Sequence, residues 1–255
     1  MLRARARCDV LRLADFRVLS FDCYGTLIDW ETGILAALAP LAAKCSTRPS
    51  PESLLSLYAR LESAQEAATP DLIYRELLTR VHARIANELG VSASAEENVA
   101  FGASIGAWPA FPDSPQALAE LKRHFKLVIL SNVDRASFRA SNARLGVEFD
   151  AVLTAQDIGS YKPDPRNFAA LIAKVAELGH PRSELLHVAQ SLYHDHVPAQ
   201  RAGLKTAWID RRGGRRGGAT PEPPGTVRPD ARFTSLAALA EAHRREAAGA
   251  MAKGG

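Results

Sequence analysis

Polar side chains that could perform nucleophilic catalysis each follow a short apolar run of the sequence. A lysine placed between carboxylates would keep them ionised and lower their pKa values. An ionised, poorly solvated carboxylate is a nucleophile. We therefore expect a site built around an aspartate nucleophile from Asp22, Ser131, Asn132, Lys162 and Asp195.

The apolar runs are typical of strands that are buried on both faces of a sheet. They are predicted at 17–21, 126–130, 151–154, 185–189 and 205–209. Helical patterns lie at 114–124, 135–145, 165–178, 198–202 and 235–248. This alternation predicts an α/β fold, a Rossmann-like parallel sheet flanked by helices. Because ligands bind at the carboxyl ends of parallel strands, the polar residues should meet at one rim.

A long helical stretch interrupts the alternation after the first strand. Apolar residues recur at helical spacing from about 34 to 106. Ser50 resembles a helix cap and Gly90 a helix end, and 108–113 reads as a linker. We predict an all-helical cap domain at 30–110, inserted into a core domain formed by 1–29 and 111–255.

Composition indicates a soluble globular protein. Hydrophobic residues make up 47% and charged residues 24% of 255 residues, which excludes a disordered or collagen-like chain. The net charge of +4 is too small to indicate nucleic acid as a partner. No stretch approaches the roughly 18 apolar residues of a membrane span. The three cysteines lack paired spacing, which favours the reducing cytoplasm.

Much of the positive charge lies in two arginine-rich stretches. The first, at 3–12, is expected to be a frayed terminus rather than a transit or nucleic-acid arm. The second, at 211–216, begins a glycine- and proline-rich segment that ends at 225. We expect a solvated, flexible loop there, with binding of an anionic partner as the alternative.

Four motifs resemble those of the haloacid dehalogenase superfamily. They are FDCYGTL at 21–27, LSN at 130–132, YKPD at 161–164 and the late loop that ends in Asp195. Their order and spacing match over about residues 15–245, and the helical insert resembles that superfamily's cap. The resemblance implies a hydrolase with Asp22 as its nucleophile.

Two positions separate the possible reactions. Phosphatases of the superfamily carry Asp-x-Asp in the first motif and usually Gly-Asp before the final loop, whereas this chain has Tyr24 and Ala189-Gln190. Tyrosine removes the proton shuttle for a leaving alkoxide, and glutamine removes a charge that balances Mg²⁺. A halide leaving group needs neither. The pattern Asp-x-Tyr-Gly-Thr also resembles the L-2-haloacid dehalogenase branch.

The resemblance implies a two-step hydrolysis of a small anionic (S)-2-haloacid without a metal or cofactor. Asp22 displaces the halide from C2 and forms an ester, and water then releases the (R)-2-hydroxy acid. Asp195 would orient or deprotonate the water, and Lys162 would pair with Asp22. Thr26 and Ser131 would hold the aspartate and the substrate carboxylate. Tyr24 and Asn132 would line the pocket, with core packing as the alternative for Tyr24.

The sequence departs from the branch pattern at several positions. Gln190 and Leu192 stand where the branch has serine and asparagine, so Ser191 is the candidate substitute. Phe168 replaces a tyrosine. Arg60 is the nearest candidate for the cap arginine that binds the halide, and fluoride would suit a tighter polar pocket. If Arg60 does not serve, the candidate donors are Trp30, Tyr58 and His194.

Other readings of the sequence remain open. The chain could be a Mg²⁺-dependent phosphatase, or it could hydrolyse a strained cyclic imino acid, which requires a proton donor in the pocket. A non-catalytic binding protein is disfavoured by the charge cluster. We expect Cys23 and His187 to be buried, and His194 and His196 to be helix-start or rim histidines rather than metal ligands. The oligomeric state is open, with a homodimer the commonest assembly.

Overall fold

The computed structural model describes residues 11–215 and 217–251. Cys8 and the arginines at positions 3, 5, 7 and 216 lie outside the described residues. Six parallel strands form one sheet in the order β3-β2-β1-β4-β5-β6. The strands are β1 Val18–Phe21, β2 Lys126–Ser131, β3 Ala151–Thr154, β4 Leu185–Ala189, β5 Lys205–Ile209 and β6 Ala231–Phe233.

Ten α-helices accompany the sheet in the described part of the chain. None of them is long and apolar enough to cross a membrane. They are α1 Trp30–Ala42, α2 Pro51–Ala68, α3 Tyr74–Glu88, α4 Ala95–Ala103, α5 Ser114–Lys122, α6 Arg135–Leu145, α7 Ala155–Ile158, α8 Pro165–Glu177, α9 Val197–Arg201 and α10 Leu236–Met251. The predicted α/β class with a parallel sheet is confirmed.

The strands at the centre of the sheet position the polar rim. All four residues of β1 and all five of β4 are buried, as expected for strands covered on both faces. Ser20 of β1 lies opposite His187 of β4 in the register. Because β1, β2 and β4 run in parallel, the residues directly after them emerge at the same edge.

Helices α1 to α4 lie between β1 and α5, in the stretch 30–110, which we call the helical insert. Its two connections to the sheet run side by side, since Asp29 N donates to Pro109 O at 2.8 Å and Phe111 N to Leu27 O at 3.0 Å. Trp108 packs so closely on Gly33 that a Cβ there would lie 2.3 Å from its ring. The predicted linker is therefore a packed connection.

Several predicted boundaries agree with the structure and a few differ. Ser50 caps α2 by accepting a hydrogen bond from Ser53 N at 3.2 Å. Gly90 follows the end of α3 with a φ of +67°, which agrees with the predicted helix end. No sequence pattern predicted β6, which is three residues long, or the π-helical turn at Leu192–His196.

The expectation of a solvated loop after β5 is wrong for its first residues. Arg211 is 9% exposed and pairs with Asp113 at 2.7 Å. Arg212 pairs with Glu31 at 2.6 Å and Glu52 at 2.9 Å, which are the first-turn acids of α1 and α2. The loop thus ties the helical insert to the end of the sheet, and both arginines form ion pairs with carboxylates of this chain.

Candidate functional site

Asp22 lies directly after β1, in a turn that only glycine completes. Its backbone N–H donates to Val188 O at 3.1 Å and so continues the parallel pairing beyond the strand. Gly25 has a φ of +89°, and a Cβ there would lie 2.8 Å from Trp30 Nε1. This turn brings Thr26 back, and its Oγ1 donates to Asp22 Oδ2 at 2.7 Å.

Thr26 is itself held from two sides. Its Oγ1 accepts from Gln190 N at 2.9 Å, so the residue after β4 orients the hydroxyl toward Asp22. Its carbonyl oxygen accepts from the Arg211 guanidinium at 2.8 and 3.1 Å. The structure therefore places Thr26 as a rigid donor to one oxygen of Asp22.

Lys162 bridges the two buried aspartates. Its Nζ lies 2.9 Å from Asp22 Oδ1 and 2.7 Å from Asp195 Oδ1, and it also donates to Leu130 O at 3.0 Å. An ammonium has three donors, and all three are used here. At 2% exposure the lysine is removed from water, so its charge is balanced by the carboxylates alone.

A buried hydrogen-bonded chain leads from β1 to Asp195. Ser20 Oγ lies 2.9 Å from His187 Nδ1, and His187 Nε2 lies 3.0 Å from Asp195 Oδ1. Since the carboxylate can only accept, His187 Nε2 donates to Asp195. His187 is buried as predicted, but its contact with Asp195 was missed. The sequence did contain a sign of this contact, because His187 aligns with Ser20 on the neighbouring strand.

The two aspartates differ in acidity. The pKa of Asp195 lies far below its ordinary value, because Lys162 and His187 outweigh the effect of burial. Burial raises the pKa of Asp22, and the nearby charge of Asp195 adds to this effect while Lys162 and Thr26 oppose it. Lys162 therefore lowers the pKa of both carboxyl groups as expected, but at Asp22 burial outweighs this effect. A more basic carboxylate is the better nucleophile of the two.

These groups enclose a small cavity of about 30 Å³ beneath the helical insert. A volume this small suits a compact ligand. Eight predicted site residues line it, together with two that the sequence analysis missed, Glu62 and Thr220. The predicted ones are Asp22, Tyr24, Trp30, Asn132, Lys162, Ser191, His194 and Asp195.

Tyr24 contributes its ring to the cavity and its hydroxyl to the protein interior. The hydroxyl lies 2.7 Å from Ser141 Oγ on α6, and the ring packs edge-on against Trp108 with centroids 5.8 Å apart. Both burial and the neighbouring Cys23 raise its pKa well above the ordinary value. A hydroxyl engaged in this way cannot shuttle protons at Asp22. Cys23 is buried, and burial also raises the pKa of its thiol.

The remaining polar residues of the rim make specific contacts. Asn132 Oδ1 accepts from Lys162 N at 2.6 Å, which fixes the backbone of the lysine. Ser191 Oγ accepts from His194 N at 2.9 Å. Ser131 Oγ is buried without a hydrogen-bond partner among the described residues. His194, which lines the cavity, and His196, which precedes α9, are both buried, and burial lowers the pKa of each to about 4.

The helical insert presents two carboxyl groups where the sequence analysis expected an arginine. Glu62 lines the cavity, and Glu66 Oε1 accepts from Asn132 Nδ2 at 3.0 Å. Glu66 Oε2 lies 3.8 Å from His194 Nε2. Both glutamates are at least 95% buried. The available signal was their i, i+4 spacing on the apolar stripe of α2 that includes Tyr58.

The prediction that Arg60 binds the substrate is contradicted by its position. Its side chain is 58% exposed and pairs with Glu88 of α3 at 3.2 Å. It is separated from Glu62 by two residues, or about 200° around a helix, so the two face nearly opposite directions. Tyr58, an alternative halide donor, instead lies 3.0 Å from Tyr74 OH and is not part of the cavity lining.

Replacing Arg60 by glutamine is expected to leave the rate of substrate hydrolysis unchanged within about twofold. An exposed ion pair contributes little to stability and Arg60 lies outside the cavity. Steady-state kinetics on the best substrate would test this expectation. A loss of tenfold or more in kcat/KM, with an unchanged melting temperature, would contradict it and return Arg60 to the site.

A divalent cation such as Mg²⁺ would need several oxygen ligands at this site. The space between the Asp22 and Asp195 carboxylates is bridged by the Lys162 ammonium. No group of three or more His, Cys, Asp or Glu side chains within 11–215 and 217–251 is arranged to hold a metal. A divalent cation that bound both carboxylates together would therefore have to displace the Lys162 ammonium.

Comparison with known proteins identifies the family. A model of haloacid dehalogenase-like hydrolases matches residues 16–203, which include Asp22, Lys162 and Asp195. The chain belongs to this family of hydrolases. A phosphoserine phosphatase from Thermus thermophilus is 31% identical over 132 residues, 51% of this chain. The match covers 49% of the phosphatase, so the chain spans about half the length of this curated relative.

Solved structures share the fold of this haloacid dehalogenase-like hydrolase over most of its length. A defluorinating L-2-haloacid dehalogenase matches with a TM-score of 0.72 and 22% identity over 90% of this chain and 95% of that one. The L-2-haloacid dehalogenase from Xanthobacter autotrophicus, solved with chloropropionic acid covalently bound, matches with a TM-score of 0.73 and 20% identity. That match covers 90% of this chain and 98% of the other. At these identities the likeness concerns the fold.

Proposed function

We propose that the protein hydrolyses short (S)-2-haloacids to (R)-2-hydroxy acids through an ester on Asp22. The observation that carries the proposal is the setting of Asp22: a buried carboxylate of raised pKa that faces a small cavity, with Tyr24 rather than an acid two residues later. The solved structures of similar fold include proteins named as L-2-haloacid dehalogenases, which supports the same reaction class.

In the first step Asp22 attacks C2 of the substrate from the face opposite the halogen. The carbon–halogen bond breaks with its electron pair on the halide, and an ester to Asp22 forms with inversion. Lys162 and Thr26 each hold one oxygen of the attacking carboxylate and so fix its orientation. Ser131, whose hydroxyl is otherwise unpartnered within the described ranges, is the candidate donor to the substrate carboxylate.

In the second step water attacks the carboxyl carbon of Asp22 and releases the hydroxy acid. Asp195 Oδ1 is occupied by Lys162 and His187, whereas its Oδ2 is buried with no hydrogen-bond partner in the described part of the chain. That oxygen is placed to accept a hydrogen bond from the attacking water. Its strongly lowered pKa makes Asp195 a weak base, so we assign it orientation of the water.

A halide-release panel tests the proposed function. Protein treated with EDTA is incubated with fluoro-, chloro- and bromoacetate and with both enantiomers of 2-chloropropionate. We expect halide from the haloacetates and from the (S) enantiomer only, and lactate of the (R) configuration by chiral chromatography. Inversion follows from back-side attack by a carboxylate that is fixed on one side of the cavity.

A phosphatase assay tests the alternative reaction. The partial match to a phosphoserine phosphatase makes phosphoserine with Mg²⁺ the appropriate substrate. Turnover of phosphoserine only when Mg²⁺ is present, with no halide from any 2-haloacid, would overturn the proposal. It would also mean that Tyr24 and Gln190 do not prevent phosphate ester hydrolysis.

A further inference from the structure

Glu62 places an unpartnered carboxyl oxygen at the catalytic cavity. Its Oε1 accepts from Tyr74 OH at 2.8 Å, and Tyr74 OH lies 3.0 Å from Tyr58 OH. Its Oε2 is buried and has no hydrogen-bond partner among residues 11–215 and 217–251. A buried polar atom without a partner is costly, so its presence calls for a ligand or a function.

The hydrogen bonds indicate where a proton on Glu62 would lie. Because Tyr74 already donates to Oε1, a protonated carboxyl group would carry its hydrogen on Oε2, the unpartnered oxygen. Burial raises the pKa of Glu62 to about 7, although the hydrogen bond from Tyr74 lowers it. Burial and the neighbouring Glu62 also raise the pKa of Glu66 well above its ordinary value. Glu62, which lines the cavity, is therefore protonated more readily than an exposed glutamate.

Charged and titratable groups face Glu62 from each of the elements that pack around it. Lys162 is the cationic side chain among the described residues that line the cavity, and its ammonium is already bound to both aspartates. Arg60 is exposed and pairs with Glu88 instead. The groups near Glu62 include Tyr58 and Glu66 on α2, Tyr74 on α3, Asp22 after β1, Tyr161 and Lys162 before α8, and His194 and Asp195 in the π-helical turn.

We infer that Glu62 donates a proton to the leaving group at C2, so that the site favours substrates whose leaving group accepts a proton. The inference rests on the proposed reaction at Asp22 and names its substrate class. Chloride and bromide are too weakly basic to benefit. Fluoride takes a strong hydrogen bond, and the nitrogen of a strained cyclic imino acid takes a full proton.

The step balances in both cases. The Asp22 carboxylate forms the C2–O bond, and the C2–F or C2–N bond breaks with its electron pair on the leaving atom. Glu62 Oε2 supplies the proton to that atom and becomes a carboxylate. Water then hydrolyses the ester, and the proton released in that step restores Glu62. Fluorine leaves with this proton as hydrogen fluoride, which ionises in the solvent. A ring nitrogen that was unprotonated in the substrate stays attached as an amine of the opened product.

The test compares Glu62→Gln with wild type on leaving groups of increasing basicity. The substrates are chloroacetate, fluoroacetate and a four-membered cyclic imino acid, azetidine-2-carboxylate. Glutamine keeps the size and a hydrogen-bond donor but cannot transfer a proton. We expect the loss to grow with the basicity of the leaving group: smallest for chloroacetate, larger for fluoroacetate, and about 10²-fold for any ring opening, the usual contribution of a general acid. The matched control is Glu76→Gln, an exposed glutamate of α3.

The pH profile supplies a second readout that a structural role would not produce. In wild type, kcat/KM for fluoroacetate should fall as the pH rises through about 7, because Glu62 loses its proton there. Glu62→Gln should lack that descending limb while it remains folded by circular dichroism. Should the variant misfold, Tyr74→Phe, which removes the donor to Oε1, should shift the limb to higher pH.

The experiment distinguishes failure of the proposed reaction at Asp22 from failure of the inference about Glu62. If wild type releases no halide and opens no ring, the proposed reaction at Asp22 fails. If wild type is active but Glu62→Gln slows all three substrates equally, or keeps the wild-type pH profile, the reaction stands and the inference about Glu62 is overturned.

Discussion

Asp22→Asn is expected to lower kcat by at least about 10⁴-fold, since removal of a nucleophile usually costs that much or more. The amide oxygen can still accept from Lys162, so the fold should persist. Multiple turnovers of wild type in H₂¹⁸O should place ¹⁸O in the Asp22 side chain, because water attacks the carboxyl carbon of the ester. Peptide mass spectrometry measures that incorporation directly.

The control for this prediction is Asp71→Asn, an exposed aspartate in the helical insert. It should retain wild-type rates. Incorporation of ¹⁸O only into the product, with none in the peptide that contains Asp22, would indicate direct attack of water on C2 and would contradict the ester mechanism. A normal rate for Asp22→Asn would remove Asp22 from the reaction altogether.

Lys162→Met is expected to destabilise the protein by about 3–5 kcal/mol at neutral pH, the usual effect of breaking a buried ion pair from one side. Asp22 and Asp195 are 6% and 0% exposed and share this single ammonium. Without it, two buried like charges would face each other. Urea unfolding monitored by circular dichroism measures the free energy of unfolding.

The pH dependence of that loss follows from the carboxyl pKa values. In wild type the lowered pKa of Asp195 adds stability above the ordinary carboxyl pKa, and this stability is lost as the pH falls. Lys162→Met should therefore differ most from wild type at pH 7 to 8 and least near pH 4, where carboxyl groups protonate. Equal destabilisation at both pH values would mean that lost packing, not charge, is responsible.

A double variant separates charge from packing at Lys162. Lys162→Met combined with Asp195→Asn removes one of the two opposed charges and should recover part of the lost stability at neutral pH. Arg166→Met is a matched control, because its ion pair with Asp164 is exposed and should contribute less than about 1 kcal/mol. No recovery in the double variant would contradict the electrostatic explanation.

The catalytic rim was predictable because it depends on a short-range pattern. Each of Asp22, Asn132 and Gln190 comes at or directly after the end of an apolar strand, and the ends of parallel strands lie at one edge of the sheet. Lys162 lies further from its strand, yet its motif predicted a position at the same edge. Two other expectations do not depend on the rim. The homodimer and the cytoplasmic location both stay predictions.

The face of the cavity supplied by the helical insert was predicted less well. Helical periodicity on α2 already places Glu62 and Glu66 on the stripe that includes Tyr58 and leaves Arg60 on the opposite side. The resemblance to a family with a cap arginine favoured Arg60 over that periodicity. The correction therefore comes from local geometry that the sequence contained.

By itself the sequence determined the parallel sheet, its helical insert and the three charged residues of the rim, because strand order along the chain and hydrophobic period are local properties. Only the tertiary structure decided that Glu66 contacts Asn132 and that Glu62 lines the cavity of the candidate site. Periodicity tells which side of a helix is buried but not which element that side packs against. That partner is set by the packing of the insert over the sheet and by contacts such as Arg212 with Glu31 and Glu52, which join residues far apart in the chain.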